Sequence, residues 1–447
     1  MLPITSIPRS IISFAQDFRE VFIHPAQMGH FTEMVTGLTV SGNKTVAGIH
    51  QALLNGTGYD CLRRFLSRSP WSVAKLRSKR LEMVRRALAD EHGTPKVICL
   101  DATFAHHSGK NIFGVYWYWD YAKRAYSLAQ RLVFSSLATP KRQVPLGWLL
   151  YHRGFLEEQE RYLDEIRPAD TATKDAWDEY NDLMEAYETN CTNHKKQPEL
   201  AAELVDESEK QGIECQAYVL DAGLLTQELA EHIEVKTKCK TFVSRLAKTR
   251  LVQPSGSRFE SLISWAKGLP KDAFKAVAVE TRHGEPRTYW CFSKCVMVKD
   301  WKKLRVVISF DNSNLEGEPI FLVTNKKNWP QPEKIVQLYC YRDPIEHLIR
   351  DEKQEVGFED GQQRSQAAVE KHWELSFAAF TFLELFFNAD LPDDVPSVKL
   401  ETMGQKRRLM ECEVLQNFAD LFAEFDEQER KELFDLIRRQ RLNRVAR

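Results

Sequence analysis

Two apolar runs that end in aspartate constrain the fold of this chain most strongly. The first is VICLD, residues 97–101, and the second is AYVLD, residues 217–221. Short runs of this composition are typical of buried strands, and in an open α/β sheet ligands and catalytic groups collect at strand ends. Asp101 and Asp221, each expected just beyond a strand, are therefore candidate functional carboxylates. The ordinary alternative for either one is a turn or helix-cap residue.

The segments around these runs predict a mixed α/β fold. Three segments that follow Asp101 at hairpin spacing indicate a mostly antiparallel sheet: NIFGVYWYWD, YSLAQRLVFSSLAT and VPLGWLLYHR. Later segments with the same strand character are KTFVSRL, EPRTYWCFSKCVMV, LRVVISFD and PIFLVTN. Residues 1–92, 155–213 and those after about Ala367 have helical patterns, with a loop expected around NCTNHKKQPE. Asp311, which ends LRVVISFD, is interpreted as an ordinary hairpin acid.

Length and composition narrow the class of protein. A chain of 447 residues is expected to contain two or three domains, and 28% charged residues are typical of a soluble globular protein. No apolar run is long enough to cross a bilayer, and the first residues lack the features of a signal peptide. We therefore expect a cytoplasmic protein with no membrane partner. The nine cysteines have no zinc-site spacing, which indicates reduced thiols.

Basic residues are concentrated in two segments of a chain whose net charge is only −1. Nine Lys or Arg residues and one acid lie between Arg63 and Arg86, and five Arg residues and no acid lie between Arg438 and Arg447. Such segments can dock on phosphates, or they can be ordinary solvated helix faces. The pattern alone leaves both interpretations open.

Residues 44–71 predict two short helices joined through Asn55-Gly56-Thr57-Gly58. The first helix would bury Val46, Ile49, Leu53 and Leu54. The second, residues 59–67, would bury Leu62, Phe65 and Leu66. It would expose Arg63, Arg64 and Arg68, as a helix-turn-helix requires for the major groove of DNA. Helix pairs without a DNA partner are also common.

The segment YCYRDPIEHLIRDEK, residues 339–353, carries a third candidate carboxylate, Glu346. Tyr339, Arg342, Glu346 and Lys353 would share one face of a continuous helix. Because proline is poorly tolerated inside a helix, Asp343-Pro344 more reasonably begins the helix, so that Tyr339 precedes it. Three carboxylates would hold two Mg²⁺ ions for phosphoryl transfer, with Arg and Lys reaching the phosphates. A solvated face with ion pairs is the alternative, and His106 and His107 are interpreted as exposed loop residues.

These segments in this order resemble bacterial insertion-sequence transposases of the Asp-Asp-Glu superfamily, in the class named for its Tyr-Arg-Glu-Lys signature. The resemblance covers residues 44–385 and is carried by RRFLSRSPW, VICLDAT, YVLDAGLL, FVSRL, PIFLVTN and the signature helix. It implies a ribonuclease-H-like catalytic core at 93–245 and 326–390, with a β-rich insertion at 246–325. An N-terminal helical DNA-binding region at 1–92 and a C-terminal helical region at 391–447 would flank the core.

The resemblance also implies roles for individual residues. Asp101, Asp221 and Glu346 would be the catalytic, metal-binding triad, with Mg²⁺ as the cofactor and Mn²⁺ tolerated in its place. Tyr339, Arg342 and Lys353 would contact DNA phosphates. A tryptophan of the insertion would stack on a flipped base, and the candidates are Trp265, Trp290 and Trp301.

The function implied is that of a DNA transposase, which cleaves at inverted-repeat ends and joins the 3′ ends to target DNA. Its partners would be double-stranded DNA and further copies of the chain, in a dimer or larger assembly, within the bacterial cytoplasm and at the nucleoid. Two alternatives stay open: a two-metal nuclease on the same fold, and a transposase remnant that binds DNA without cleaving it.

Overall fold

The computed structural model describes residues 3–54, 56–89, 91, 93–256, 258–280, 286–387 and 402–445. The chain divides into two compact units. One contains Met1–Asp90, Asn111–Phe113 and Leu348–Arg447, and the other contains Glu91–Lys110 and Gly114–His347. We call them the helical unit and the sheet unit. The four regions expected from the sequence stay a prediction about separate domains.

Within the described residues, the strands of the sheet unit form one sheet of twelve strands. They are β1 (Val97–His106), β2 (Tyr116–Asp120), β3 (Ala125–Ala138), β4 (Gln143–Tyr151), β5 (Ala217–Leu220), β6 (Phe242–Arg245), β7 (Leu251–Gln253), β8 (Glu260–Ser261), β9 (Lys275–Glu280), β10 (Pro286–Val298), β11 (Lys303–Phe310) and β12 (Ile320–Thr324).

The helices are α1 (Arg9–Gln16), α2 (Pro25–Val40), α3 (Val46–Ala52), α4 (Tyr59–Ser67), α5 (Val73–Ala87), α6 (Arg153–Ile166), α7 (Lys174–Asn193), α8 (Gln197–Lys210), α9 (Gln227–Lys236), α10 (Leu262–Gly268), α11 (Glu333–Cys340), α12 (Asp343–Glu355), α13 (Gln366–Thr381), α14 (Met403–Glu424) and α15 (Glu427–Val445). Short 3₁₀ turns occur at Arg19–Val21 and Lys271–Ala273, and a π-helical turn follows α13 at Phe382–Phe386. Within the described residues, none of these helices combines the length and apolar character needed to cross a bilayer.

The sheet has the order β2-β3-β1-β5-β6-β12-β11-β10-β7-β8, with β4 beside β3 and β9 beside β10. Strand β1 is parallel to β5, and β5 is parallel to β6. The other pairs are antiparallel, as hairpin spacing predicts for successive strands. The expectation of a mixed α/β fold with a mostly antiparallel sheet is confirmed.

Strand β1 corrects one expectation from the sequence. The apolar run stops at Asp101, but the strand continues to His106 and pairs with β3 along its whole length. Asp101 therefore lies within a strand, whereas Asp221 directly follows β5 as expected. The extra residues stay in the strand because β3 supplies their antiparallel hydrogen-bond partners, and that long-range pairing outweighs the weaker apolar pattern after Asp101.

The loop expected around NCTNHKKQPE is also shorter than its sequence suggests. Helix α7 ends at Asn193 and helix α8 begins at Gln197, so only three residues, 194–196, link them. Helix α8 gains a proline in its first turn, where the missing amide hydrogen costs nothing. The polar composition of this segment thus reflects exposed helix ends more than a loop.

The helical unit buries part of the basic segment between Arg63 and Arg86. The Nε atoms of Arg77 and Arg80 lie 2.9 and 2.8 Å from the two carboxylate oxygens of Glu374 on α13. The side chains of Arg80 and Glu374 are fully buried. Burial removes the hydrating water from each charge, so such an ion pair is stable only when its atoms are close and well oriented. The interpretation of the whole segment as a phosphate-binding or solvated surface is therefore wrong for these two arginines.

Glu352 on α12 is a second buried acid of this unit. Its Oε2 accepts a hydrogen bond of 2.9 Å from the Ser376 hydroxyl, and its Oε1 has no partner among the described residues. Burial raises the pKa of Glu352 to about 8, although Ser376 and Arg80 act to lower it. A carboxyl group in this position is more stable protonated, because water cannot solvate its charge.

This burial predicts a pH-dependent stability that Glu352→Gln should remove. Between about pH 4.5 and 8 the native Glu352 holds a proton that the unfolded chain has released, so the free energy of unfolding falls as pH rises. Glutamine resembles the protonated acid at every pH. In urea unfolding from pH 5 to 8.5, the free energy of unfolding of the variant should rise relative to that of the wild type by up to about 1.4 kcal/mol per pH unit.

The control is Glu424→Gln, which changes an exposed acid on α14. The difference in free energy of unfolding between this control and the wild type should stay constant with pH. Equal pH slopes for Glu352→Gln and the wild type would show that Glu352 is charged in the native protein.

Candidate active site

The parallel register of β1 and β5 brings Asp101 and Asp221 together. Leu100 lies opposite Leu220, and Cys99 lies opposite Val219. Since both strands run in the same direction, the next residue of each chain emerges beside the other, on the face opposite to the two leucines. Asp101 is the more enclosed of the two, with 14% of its side chain exposed against 38% for Asp221.

Short hydrogen bonds orient both aspartates. Asp101 Oδ1 accepts from the backbone N–H of Ala102 at 2.8 Å. Asp221 Oδ2 accepts from the N–H of Gly223 at 3.2 Å. The second oxygen of each carboxylate, Asp101 Oδ2 and Asp221 Oδ1, faces a cationic side chain, that of Arg342.

The link between α11 and α12 supplies the other members of the site. Tyr341 and Arg342 separate the two helices, so the segment 339–353 is not one continuous helix, and Tyr339 lies in α11. The Cys99 thiol of β1 donates to the Tyr341 carbonyl at 3.5 Å, which fastens the link to the central sheet. The expectation that the helix begins near Asp343-Pro344 is confirmed, with α12 starting at Asp343.

Arg342 joins the three carboxylates predicted from the sequence. Its Nη2 lies 2.8 Å from Asp101 Oδ2 and 3.3 Å from Asp221 Oδ1. Its Nη1 lies 3.8 Å from Glu346 Oε1. The Arg342 side chain is only 8% exposed, whereas that of Glu346 is 71% exposed. The acids thus converge on a guanidinium group, with Glu346 at the solvent side.

The charges of this cluster alter one another's titration. Burial raises the pKa of Asp101 to about 6, with Arg342 acting to lower it and Asp221 and Glu346 to raise it. Burial acts to lower the pKa of Arg342, but Asp101, Tyr339 and Asp221 together raise it above its ordinary value. The guanidinium is therefore firmly charged, and it offsets the repulsion among the carboxylates.

The Arg342 side chain is bound at its tip and not along its stem. Its Nε is buried and has no hydrogen-bond partner among the described residues. The ion pairs with the carboxylates are therefore the polar contacts that hold the guanidinium, and a competing cation at the carboxylates would release it. The sequence spacing suggested a phosphate-binding arginine, and the i, i+4 spacing to Glu346 was the one local indication of this pairing.

Tyr339 and Lys353 are the other two residues of the signature. Tyr339 is buried near the end of α11, where its carbonyl accepts a hydrogen bond of 2.8 Å from the Arg342 backbone N–H. Lys353 belongs to the helical unit, where its Nζ binds Glu359 Oε1 at 2.9 Å. Their predicted contacts with DNA phosphates stay predictions.

The predicted helix pair in the helical unit agrees closely with the structure. Helix α4 spans Tyr59–Ser67 and buries Leu62, Phe65 and Leu66. The cationic residues expected on its outer face are exposed: Arg63, Arg64 and Arg68. Val46 is only half-buried, contrary to expectation, because it is the first residue of α3 and lies at the helix end. Asn55, in the predicted connection, lies outside the described residues, and a role in DNA binding stays a prediction.

Two of the three tryptophans proposed for base stacking are packed against other aromatic rings. Trp265 is 6% exposed and meets Phe292 edge-on, with the ring centroids 5.6 Å apart. Trp301 stacks on Phe242 at 6.0 Å with an angle of 7° between the rings. Trp290 is half-buried in β10. In this arrangement Trp265 and Trp301 stabilise the sheet unit.

The histidines after Asp101 are not exposed loop residues, which corrects that interpretation. His106 belongs to β1, and its Nε2 lies 3.0 Å from Asp120 Oδ2. His107 lies 2.8 Å from Gln130 Oε1. Pairing of β1 with β3 keeps both side chains half-buried. Asp311 is exposed beside Asn312 after β11, as expected of a hairpin acid.

At the C-terminal end, Arg438 and Arg439 are exposed on α15. The side chains of the remaining arginines of the basic tail, within 440–447, lie outside the described part of the chain. Residues 388–401, around the expected domain boundary, also lie outside it.

All nine cysteines are free thiols, in agreement with the sequence.

Comparison with known families places the chain in a family. The model of the DDE superfamily endonucleases matches residues 17–281. The chain belongs to this family. The matched range contains Asp101 and Asp221 and ends before Glu346, so the third acid is supported by its position in the structure. No curated protein matches the chain. Family membership implies a metal-dependent nuclease or transposase that acts on DNA.

The carboxylates provide suitable ligands for the divalent metal, typically Mg²⁺, that this superfamily uses. Their oxygens are the hard ligands that Mg²⁺ prefers. In the present geometry, no group of three or more such side chains among the described residues lies close enough to enclose a metal ion. The Arg342 guanidinium occupies the point on which the acids converge. The residues therefore fit the metal provided that Arg342 moves away.

We expect Arg342→Gln to make metal binding visible as thermal stabilisation. Without the guanidinium, three carboxylates face one another with no cation, so the melting temperature in EDTA should fall below that of the wild type. Added Mg²⁺ or Mn²⁺ should raise the melting temperature more than in the wild type, because no internal cation competes. A metal concentration of 100 times Kd contributes about 2.7 kcal/mol.

The control is Arg350→Gln, which removes an exposed arginine from the same helix. It should respond to metal as the wild type does. Equal metal-dependent shifts for Arg342→Gln and the wild type would show that the guanidinium does not compete with the metal.

Proposed function

We propose that the chain is a DNA transposase of the Tyr-Arg-Glu-Lys class. It would cleave DNA at transposon inverted-repeat ends and join the 3′ ends to target DNA. The observation that carries the proposal is the convergence of Asp101, Asp221 and Glu346 on Arg342. Two of the four signature residues, Arg342 and Glu346, thus meet the two strand-borne aspartates, although 241 residues separate Asp101 from Arg342.

The arrangement of the central strands supports a ribonuclease-H-like core as part of this proposal. Strand β1 pairs with antiparallel β3 on one side and with parallel β5 on the other, and β5 is followed by parallel β6. The acids come from β1 and from the end of β5, at the middle of the sheet. Strands β7 to β12 would then belong to the β-rich insertion, residues 246–325, between Asp221 and Glu346.

In the proposed reaction, Asp101, Asp221 and Glu346 hold Mg²⁺, or Mn²⁺ in its place. When bound, a pair of such ions supplies activation of the attacking water or 3′-hydroxyl and stabilisation of the leaving oxygen. Arg342 would first offset the repulsion among the carboxylates and then bind a DNA phosphate in their place, for which its planar fork of donors is well suited. Tyr339 would position Arg342, whose backbone N–H donates to the Tyr339 carbonyl at 2.8 Å. Lys353 would contact a phosphate after leaving Glu359.

The remaining predicted DNA contacts lie in the helical unit. Helix α4 buries Leu62, Phe65 and Leu66. Its exposed side carries Arg63 and Arg64, and Arg68 follows its last turn. A short cationic helix of this kind suits the major groove or the flanking phosphates of double-stranded DNA. Transposition requires two ends to be held together, so we propose a dimer or a larger assembly on DNA.

The family description also fits one alternative, a metal-dependent endonuclease without strand transfer. Both functions would use the same carboxylates, and they differ in whether a 3′-hydroxyl of DNA replaces water as the nucleophile. A DNA-binding remnant without cleavage is the third possibility from the sequence. Product analysis separates the three.

The proposal predicts metal-dependent cleavage that depends on the three acids. Purified protein would be incubated with labelled DNA from the flanks of its own gene, a target plasmid and Mg²⁺ or Mn²⁺. Cuts at discrete ends and covalent joining to the plasmid are expected. Glu346→Gln, Asp101→Asn and Asp221→Asn should each lower the cleavage rate by at least about 1000-fold, or roughly 4 kcal/mol in activation free energy.

Asp311→Asn is the matched control because Asp311 also follows an apolar strand but lies exposed beside Asn312. It should cleave like the wild type. Cleavage without joining would favour the endonuclease, and binding without cleavage in any metal would favour the remnant. Full activity of Glu346→Gln would contradict the assignment of the third acid.

A further inference from the structure

The hairpin of β2 and β3 exposes an unusual amount of aromatic surface. Trp117 is 50% exposed, Trp119 43%, Tyr121 84% and Tyr126 67%. Large aromatic side chains normally lie in the core, and a contiguous exposed group of them marks a binding surface. We call Trp117, Trp119, Tyr121 and Tyr126 the aromatic hairpin. The segment YWYWDYAKRAY carries it in the sequence.

The strand register places three of these rings on one face of the sheet. Trp119 is paired with Tyr126, and Trp117 is paired with Leu128. Directly opposed residues of antiparallel strands point to the same side, and so do residues two apart in one strand. The Trp119 and Tyr126 rings meet edge-on, with their centroids 5.3 Å apart. Trp117 therefore lies next to an aromatic pair that is already ordered.

Cationic side chains accompany the rings. Lys123 and Arg124 are exposed in the turn between β2 and β3, and Lys110 is exposed nearby. The acid of the turn, Asp120, is buried, where it binds His106 and accepts backbone hydrogen bonds from Ala122 and Lys123. The outward charge of the hairpin is consequently positive.

A cavity of about 470 Å³ opens beside the hairpin. Trp117 contributes an aromatic wall, Lys110 and Lys123 contribute positive charge, and His107, Ser108 and Ser127 contribute polar groups. Ligand-binding cavities of this size suit a group as large as a nucleotide. An aromatic wall together with ammonium groups matches a base and its phosphate.

The aromatic hairpin and the first catalytic aspartate share a sheet face. Asp101, Thr103 and Ala105 alternate onto one face of β1, and His107 continues this alternation, with its N–H donating to the Leu128 carbonyl. Leu128 in turn lies opposite Trp117. Six residues at roughly 3.3 Å each span about 20 Å, which corresponds to about six stacked nucleotides at ~3.4 Å each.

We propose that the aromatic hairpin binds unpaired DNA, with bases stacked on Trp117 and on the Trp119–Tyr126 pair and phosphates on Lys110, Lys123 and Arg124. The inference rests on the proposed function, because it makes the hairpin the site for a DNA strand about six nucleotides from the reacting phosphate. The positive charge distinguishes this occupant from an apolar protein partner. The exposed ring faces distinguish it from duplex DNA, whose bases are already stacked.

The test measures binding of a fluorescein-labelled 20-nucleotide oligothymidine to the full chain by anisotropy, in EDTA and at fixed salt. Trp117→Leu, which keeps an apolar side chain and loses the ring, should weaken binding by about 5- to 100-fold. Trp117→Phe should retain most of the affinity. Binding of a 20-base-pair duplex should change less than twofold in either variant. Saturating oligothymidine should quench the tryptophan fluorescence of the wild type more than that of either Trp117 variant, in which Trp119 is the remaining tryptophan of the hairpin.

Tyr162→Ala is the matched control, since Tyr162 is an aromatic residue of α6 that is 53% exposed. It should bind oligothymidine like the wild type. The proposal would be overturned if Trp117→Leu bound oligothymidine normally, if duplex affinity fell equally, or if the variant changed the oligomeric state instead. Because binding is measured without metal, a negative result here is separate from a failure to cleave DNA.

Discussion

The in-register parallel pairing of β1 and β5 is the constraint on which the site depends. It brings two carboxylates side by side at the centre of the sheet, where two like charges about 4 Å apart would repel by about 4 kcal/mol at an effective dielectric constant of 20. Arg342 offsets that repulsion with contacts of 2.8 and 3.3 Å. Its position depends on the break between α11 and α12, which the Cys99–Tyr341 hydrogen bond fastens to β1. The candidate site is thus a cluster of three carboxylates around one guanidinium.

The helical unit also pairs a buried carboxylate with arginine, but in a different geometry. Glu374 is completely buried and is satisfied by two arginines in fixed geometry, whereas the active-site acids share one arginine whose Nε has no partner among the described residues. Removing either partner from the first cluster would leave a buried charge. In the second cluster Glu346 and Asp221 still reach solvent, as the proposed exchange of the cation for a metal requires. This difference in burial separates a structural ion pair from the cluster that we propose to be reactive.

Aromatic residues show the same division between structure and recognition. Trp265 and Trp301 pack against Phe292 and Phe242 and contribute apolar burial to the sheet unit. Trp117 and Trp119 belong to strand β2, and about half of each side chain stays exposed. A ring that keeps an exposed surface after folding is available to stack on a ligand. Lys123 and Arg124 in the turn of the same hairpin are the reason that we propose a nucleic-acid strand as its ligand.

The sequence by itself determined the elements that local periodicity and chain breakers encode. The bounds of α4 and its exposed arginines, the strand before Asp221, the hairpin strands after Asp101 and the start of α12 at Asp343-Pro344 were all predictable from it. Tertiary structure alone decided the extension of β1 beyond Asp101, the burial of Arg77 and Arg80 and the placement of Arg342 among the carboxylates. These features depend on partners up to 297 residues away in the chain. Local patterns report which face of an element is apolar, but the partner of a buried charge is chosen only when distant segments pack together.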